Sequence, residues 1–253
     1  MTFDEKNTKA QISLQDICPI DTDSVARRIF IEYGAIFVAD SRVYFPTRCI
    51  FENQNDIENY QNNAVSETII IGGISITLQK PAMEALLEAR KEAAESNLQI
   101  TPRGGSTAGK RSYDDTARFW SSRFNPALDY WSAKGKLSRQ EVFEVKKLPI
   151  YQQIKQVLAW ENEGLYFNTN FSKSILYSVA APGASQHIFM LALDVQQFDD
   201  LRVRNILAKH GWFQTVKSDL PHFTYLGVEE KKMPQIGLKL FLIEGHRFWL
   251  TDY

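Results

Sequence analysis

The chain has little cysteine, little histidine and no surplus of charge, and each scarcity narrows what it can be. Its 253 residues include two cysteines, Cys18 and Cys49, too few for a disulfide scaffold and outside any CxxC pair. A bridge between them would pin the N-terminal arm of an exported protein; two separate buried thiols are the alternative, and the sequence leaves both open. Basic and acidic side chains nearly cancel, 29 against 30, and no basic stripe interleaves with aromatics, so nucleic acid is not an expected partner. No segment approaches the roughly 20 apolar residues that span a bilayer, so no membrane span is expected. Met1 to Gln11 has no apolar run of signal-peptide length, which leads to the expectation of a soluble chain and leaves room for a signal already removed.

What is present is a globular composition, 44% hydrophobic and 12% aromatic, in a chain long enough to bury its own core. Residues 1 to 23 are polar and read as a loosely ordered lead-in. Ser24 to Tyr33 has helical apolar spacing, with Gly34 placed to end it. Ala35 to Ala39 and Val43 to Phe45 read as a hairpin. A second hairpin joins Thr68–Ile71 to Ile74–Leu78 through Gly72-Gly73. Pro81 opens a helix whose Met83, Leu86, Leu87, Ala93 and Ala94 form an apolar stripe. Leu98–Ile100 is read as a short strand.

Further along, Asp114 to Trp131 carries Phe119, Trp120, Phe124, Leu128 and Trp131 at spacings that suit a helix with an aromatic core face, kinked or restarted at Pro126. Leu137 to Glu163 reads as two helices broken at Pro149, and Leu176 to Ala180 as a strand. Asp199 to His210, ended by Gly211, reads as a crossing helix.

Between Leu98 and Tyr113, the loop Thr101-Pro-Arg103-Gly-Gly-Ser-Thr-Ala-Gly109-Lys-Arg111-Ser-Tyr113 has three glycines and two arginines. It lacks the GK[ST] ending of a nucleotide loop, so a carboxylate is the better match for its guanidinium groups. Two of the four histidines, His187 and His222, stand within 36 residues of chain together with Asp194 and Asp219. Two His and one Asp with an open fourth position form a catalytic zinc site, in which the metal lowers the pKa of water to about 7 and polarises a carbonyl. His187 and Asp194 are an odd number of residues apart, so a turn or bulge must separate them if both face one ion. Pro221 puts Asp219 in an approach loop and His222 at the start of a strand, the position of a general base beside a ligand. His210, at a helix C-terminus, and His246 are left out of the set.

These residues carry a resemblance. Ser185-Gln-His187-Ile-Phe-Met190-Leu-Ala192-Leu-Asp194 resembles the SxHxxGxAxD motif of the zinc D-alanyl-D-alanine carboxypeptidase and L-alanyl-D-glutamate endopeptidase family of peptidoglycan peptidases. Asp219-Leu-Pro-His222 resembles its second motif, and Gly109-Lys-Arg111-Ser-Tyr113 is similar to its GYRSY segment. Met190 stands in place of the motif's Gly, and Asp219 in place of the Glu of the carboxypeptidase branch.

The resemblance implies Zn2+ on His187, Asp194 and His222, Asp219 as the base, and Ser185 at the substrate. It also implies a substrate- and oxyanion-binding arginine, with Arg111 and Arg103 as the two candidates. The implied fold is α+β: a small antiparallel sheet carrying the zinc site and flanked by helices, in a peptidase domain over 81–253; residues 1–80, which have no counterpart in the resemblance, read from their own pattern as an α+β extension of unknown role. The implied partners are peptidoglycan stem peptides, in the periplasm or outside a bacterial cell. Carboxypeptidase action is the leading expectation. Endopeptidase action, or a catalytically inactive wall-binding module, are the alternatives.

Overall fold

A computed structural model describes residues 13–252, so most of the expected polar lead-in lies outside the described residues. A capping box between Ser13 and Asp16 starts the short helix α1 (Leu14–Ile17). The Asp23 carboxylate caps α2 (Ser24–Tyr33) by accepting from the Val25 and Ala26 amides. After α3 (Gln54–Asn63) comes the expected hairpin of β1 (Ser66–Ile71) and β2 (Ile74–Gln79), turned by Gly72-Gly73 and running directly into α4 (Lys80–Glu95). Three helices follow: α5 (Tyr113–Ala133), α6 (Arg139–Lys147) and α7 (Ile150–Asn162).

The second half of the chain supplies the small sheets. In one, β3 (Ala192–Asp194) and β4 (Trp212–Phe213) both pair antiparallel with a central β5 (His222–Tyr225), and α8 (Leu201–Lys209) crosses between β3 and β4. A separate ribbon, β6 (Leu238–Ile243) with β7 (His246–Thr251), closes the described chain. Helices around small antiparallel sheets give the α+β class that the motifs implied. Among the described residues no helix is long and apolar enough to cross a membrane.

The described part of the expected loose lead-in, 13–23, is instead helical at α1 and buried in the core at Ile17, Cys18 and Ile20. Four further local expectations differ from the structure, each for a physical reason. Residues 35–45 form no hairpin: Gly34–Val38 is a 3-10 helix continuing α2. Gly34 keeps a right-handed φ of −71°, and Ala35, Ile36 and Phe37 are buried in succession rather than alternately. Leu98–Ile100 joins no ladder, because the Ile100 carbonyl accepts from Arg90 Nε and the next amide, Thr101, donates to Gln197. Leu176–Ala180 is no strand. It begins in a 3-10 turn (Ile175–Tyr177), and the Leu176 carbonyl accepts the Tyr33 hydroxyl at 2.7 Å instead of a neighbouring strand. Pro126 starts no new segment: α5 runs unbroken from Tyr113 to Ala133 with Pro126 on its exposed face, where one missing amide does not disturb the packed side.

Two hydrophobic cores share α2 as a wall. On the sheet side, Ala26 and Phe30 pack with Phe51, Tyr60, Met83, Leu193, Trp212 and Phe223. On the helix side, Val25, Ile29 and Tyr33 pack with Trp120, Phe124, Ile154, Val157 and Phe167. Residues on both sides of position 80 share the first core, and a disulfide between Cys18 and Cys49 ties the early chain together within it. Gly183 fastens the two stretches at closest range. Its carbonyl accepts from the Phe51 amide at 2.9 Å, a Cβ added to it would lie only 1.9 Å from the Phe51 carbonyl oxygen, and its φ is +79°.

Candidate metal centre

Strand register creates the site. Asp194, the last residue of β3, stands directly opposite His222, the first of β5, so both side chains leave the same face of the sheet. His187 arrives from a different element, a 3-10 helix (Gln186–Phe189) one turn before β3. The turn demanded by the odd spacing is made at Met190, which takes the left-handed conformation, φ 55° and ψ 33°. Met190, which stands where the SxHxxGxAxD motif has glycine, makes this turn as a buried methionine.

The three donors meet closely. His187 Nε2 is 3.3 Å from Asp194 Oδ1, His222 Nδ1 is 3.4 Å from the same oxygen, and the two nitrogens are 3.1 Å apart. The hydrogen bonds on the far side of each ring fix what these atoms present. His187 Nδ1 donates to the Gly109 carbonyl at 3.0 Å, and His222 Nε2 donates to Gln186 Oε1 at 2.7 Å. Gln186 is itself oriented by its Nε2, which donates to the Tyr33 carbonyl at 2.8 Å. Both facing nitrogens of the neutral rings are therefore lone pairs, directed at a carboxylate oxygen that is buried and receives no hydrogen bond.

Three lone pairs in mutual contact repel unless a cation lies among them. Bonds of about 2.0 to 2.1 Å in a tetrahedron place ligand atoms about 3.3 Å apart, which these separations match. The residues thus fit a zinc-sized ion.

Electrostatics agree with that donor set. Burial, then the Arg111 charge, pulls His187 down to about 4, which keeps its ring neutral at ordinary pH. Burial opposes the charge on Asp194, yet any proton shared among the three groups stays on an imidazole, His187 first, so the carboxyl lies well below the usual range. Its second oxygen, Oδ2, accepts from Arg111 Nη2 at 2.8 Å. Asp219 opens to solvent at the cavity mouth but is walled by protein on its other sides. This crowding, together with the Asp194 charge, pushes its carboxyl up against the opposing pull of His222, Arg111 and Arg103.

A cavity of about 300 Å³ opens onto the centre. His187, His222, Asp219, Ser185 and Arg111 line one part of it, and Phe119, Arg123, Leu176 and Val216 another. Of the two expected arginines, Arg111 reaches this cavity but is engaged three ways, by Asp194, by the Thr107 carbonyl and by the Phe119 ring. Arg103 is exposed, lies over the Phe198 ring and is not part of the wall. His210 pairs with Glu92, and His246 with Gln214 and Asp199, both away from the centre.

Gln186, the Gly109 carbonyl, Tyr33 and Arg123 were not singled out from the sequence. The available signal was that a ligating imidazole needs an acceptor behind it, and Gln186 adjoins His187. Gly109 also has little room for a side chain, since a Cβ there lies 3.0 Å from Ile76 and 3.1 Å from the Thr77 carbonyl. That close seat aims its carbonyl at His187.

No family model matches the chain, and no curated protein matches it. Among solved structures it is similar to a vancomycin-resistance D,D-pentapeptidase, VanY from a VanB-type resistance cassette, in complex with Zn(II). That likeness has 14% identity over 66% of this chain and 81% of that chain, with a TM-score of 0.36. It is also similar to VanYB in complex with D-alanine-D-alanine, at 15% identity over 75% of this chain and 92% of that one, with a TM-score of 0.40.

Proposed function

We propose that the protein is a zinc-dependent peptidase acting on peptidoglycan stem peptides. The observation that carries the reading is the triplet of unprotonated donors, His187 Nε2, His222 Nδ1 and Asp194 Oδ1, separated by 3.1 to 3.4 Å beside a carboxylate at the mouth of a cavity. Zinc supplies a Lewis acid there and a nucleophile available near neutral pH. It also suits the chain better than ferrous iron, which accepts the same two-histidine, one-carboxylate set. A protein holding a disulfide belongs in an oxidising compartment, where a redox-inert ion persists. This supports a location outside the cytoplasm, periplasmic or extracellular.

The chain's own residues divide the remaining work. Asp219, at the cavity wall beside the donors, takes the proton of the attacking water and passes it to the leaving amine. Arg111 neutralises the outer oxygen of Asp194 and fixes its carboxyl plane, so Oδ1 faces inward. Gln186 and the Gly109 carbonyl hold the two imidazoles in the tautomers that face the centre. Ser185, buried in the cavity wall, contacts substrate.

The resemblance of Gly109 to Tyr113 to the GYRSY segment favours removal of a terminal D-Ala over cleavage after L-Ala. One experiment addresses both levels: metal analysis of the purified protein together with mass spectrometry of a digest of defined muropeptides. About one zinc per chain and loss of a single alanine are expected. Release of a longer peptide selects the endopeptidase. Zinc without turnover of any stem peptide selects the wall-binding module, and absence of zinc from metal-replete protein defeats the whole reading.

A further inference from the structure

The cavity contains a second guanidinium, Arg123, for which the protein supplies almost no acceptor. It lies on α5 seven residues after Thr116 and four after Phe119, so all three share the helix face that lines the cavity. Its Nη1 donates to the neighbouring Ser122 hydroxyl at 3.0 Å, while its Nε is buried and has no partner. Among the described residues no carboxylate lies within ion-pair distance of it. The other cations nearby are occupied: Arg111 by Asp194, Arg28 by Glu32 and the Tyr177 ring, and Lys217 by the same ring. A buried guanidinium donor with no acceptor is costly and uncommon in a folded protein.

Placement along the helix says what would satisfy it. α5 starts beside the metal centre, where the Arg111 amide donates to the His187 carbonyl. Arg123 lies ten residues beyond Tyr113, about 15 Å along the axis, and a long side chain on a helix leans back toward the N-terminus. Its charged end therefore stands off from the candidate donors, with which it shares one cavity, by about one to three extended residues of 3.3 to 3.6 Å each. A peptide with its scissile bond at the centre brings the groups flanking that bond into this range. The unfilled Nε edge of a guanidinium matches the two oxygens of a carboxylate.

We propose that Arg123, and neither Arg111 nor Arg103, binds a carboxylate of the peptide substrate and thereby sets specificity. This rests on the peptidase reading above and deepens it. Two carboxylates of a stem peptide have the right chemistry: the free C-terminus, and the α-carboxylate of a D-Glu joined through its side chain.

The test measures calorimetric affinity and turnover for zinc-loaded wild type, Arg123→Gln and Arg123→Lys. The probes are one stem pentapeptide, its C-terminal carboxamide, and its analogue with D-Glu amidated at the α-carboxylate. One of the two amidations is expected to weaken binding to wild type ten- to hundredfold. Arg123→Gln should weaken the parent peptide equally and erase that discrimination, Arg123→Lys should keep part of it, and zinc content should not change in either. Loss of the C-terminal preference identifies the carboxypeptidase-type carboxylate, and loss of the D-Glu preference the internal one. The inference is overturned if wild type binds none of the peptides or ignores both amidations. It is equally overturned if Arg123→Gln keeps the preference or weakens all three peptides alike. A wild type that discriminates but cleaves nothing refutes the peptidase reading and leaves the Arg123 assignment standing.

Discussion

The sheet side and the helix side of this molecule contribute to the same cavity by different means. On the sheet side, two of the three metal donors are cross-strand partners, Asp194 and His222, and the third is one turn of chain away at His187. Their positions follow from backbone hydrogen bonds and leave little play. On the helix side, Phe119 and Arg123 project from α5, whose own seat depends on packing of Trp120, Phe124 and Leu128 against α7 and its neighbours. On the proposed reading the sheet holds the reacting centre, and the helix holds the wall that selects what reaches it. Variants on the two sides should therefore fail differently: loss of metal or rate on one, loss of discrimination on the other, as the Arg123 experiment reads.

The largest expected effect is that of His187→Ala. Zinc content should fall from about one per chain to none, and hydrolysis by at least about a thousandfold, as expected on losing a Lewis acid worth several kcal/mol. Metal analysis and muropeptide turnover on the same sample check this. Retained zinc with full activity would break the assignment of the sheet side as the reacting centre.

Asp219→Asn comes next and sharpens the comparison within that side. It should keep its zinc while losing about 10² to 10⁴ in rate, because the amide cannot accept the proton. Loss of zinc in this variant would make Asp219 a ligand rather than a base.

The smallest of the three concerns the frame beneath the site. The Cys18–Cys49 bridge closes a loop of sequence separation 31, so removing it by Cys18→Ser with Cys49→Ser should cost about 3 to 4 kcal/mol of stability. Denaturant unfolding measures that loss. Zinc stoichiometry below the transition should stay at one, since neither cysteine touches the donors. A variant of unchanged stability would show that the bridge does not constrain the unfolded chain.

The candidate trio, which the structure brings together, was legible in the sequence because it combines rare residue types at short separations with a proline that marks a strand start. The expected turn between His187 and Asp194 is present, although its residue, Met190, is not one that left-handed backbone favours. The helices behind Ser24, Pro81, Ser138 and Pro149 were equally plain, because capping residues and 3.6-residue periodicity act locally. The misread stretches are those whose backbone partners are distant. The Leu176 carbonyl goes to the Tyr33 hydroxyl, 143 residues away, and no local pattern encodes such a bond. The disulfide, left open at first, depends in the same way on two cysteines reaching a Cα separation of 5.2 Å.

The sequence by itself determined α2 and α4 to α8, the Gly72-Gly73 hairpin and which side chains could ligate a metal, since propensity, capping and residue chemistry are properties of short stretches. Only the tertiary structure decided that Asp194 faces His222, that Arg111 is consumed by Asp194, and that Arg123 is the arginine left with a donor to spare. Register and hydrogen-bond satisfaction depend on which distant groups come together, and folding alone brings them there.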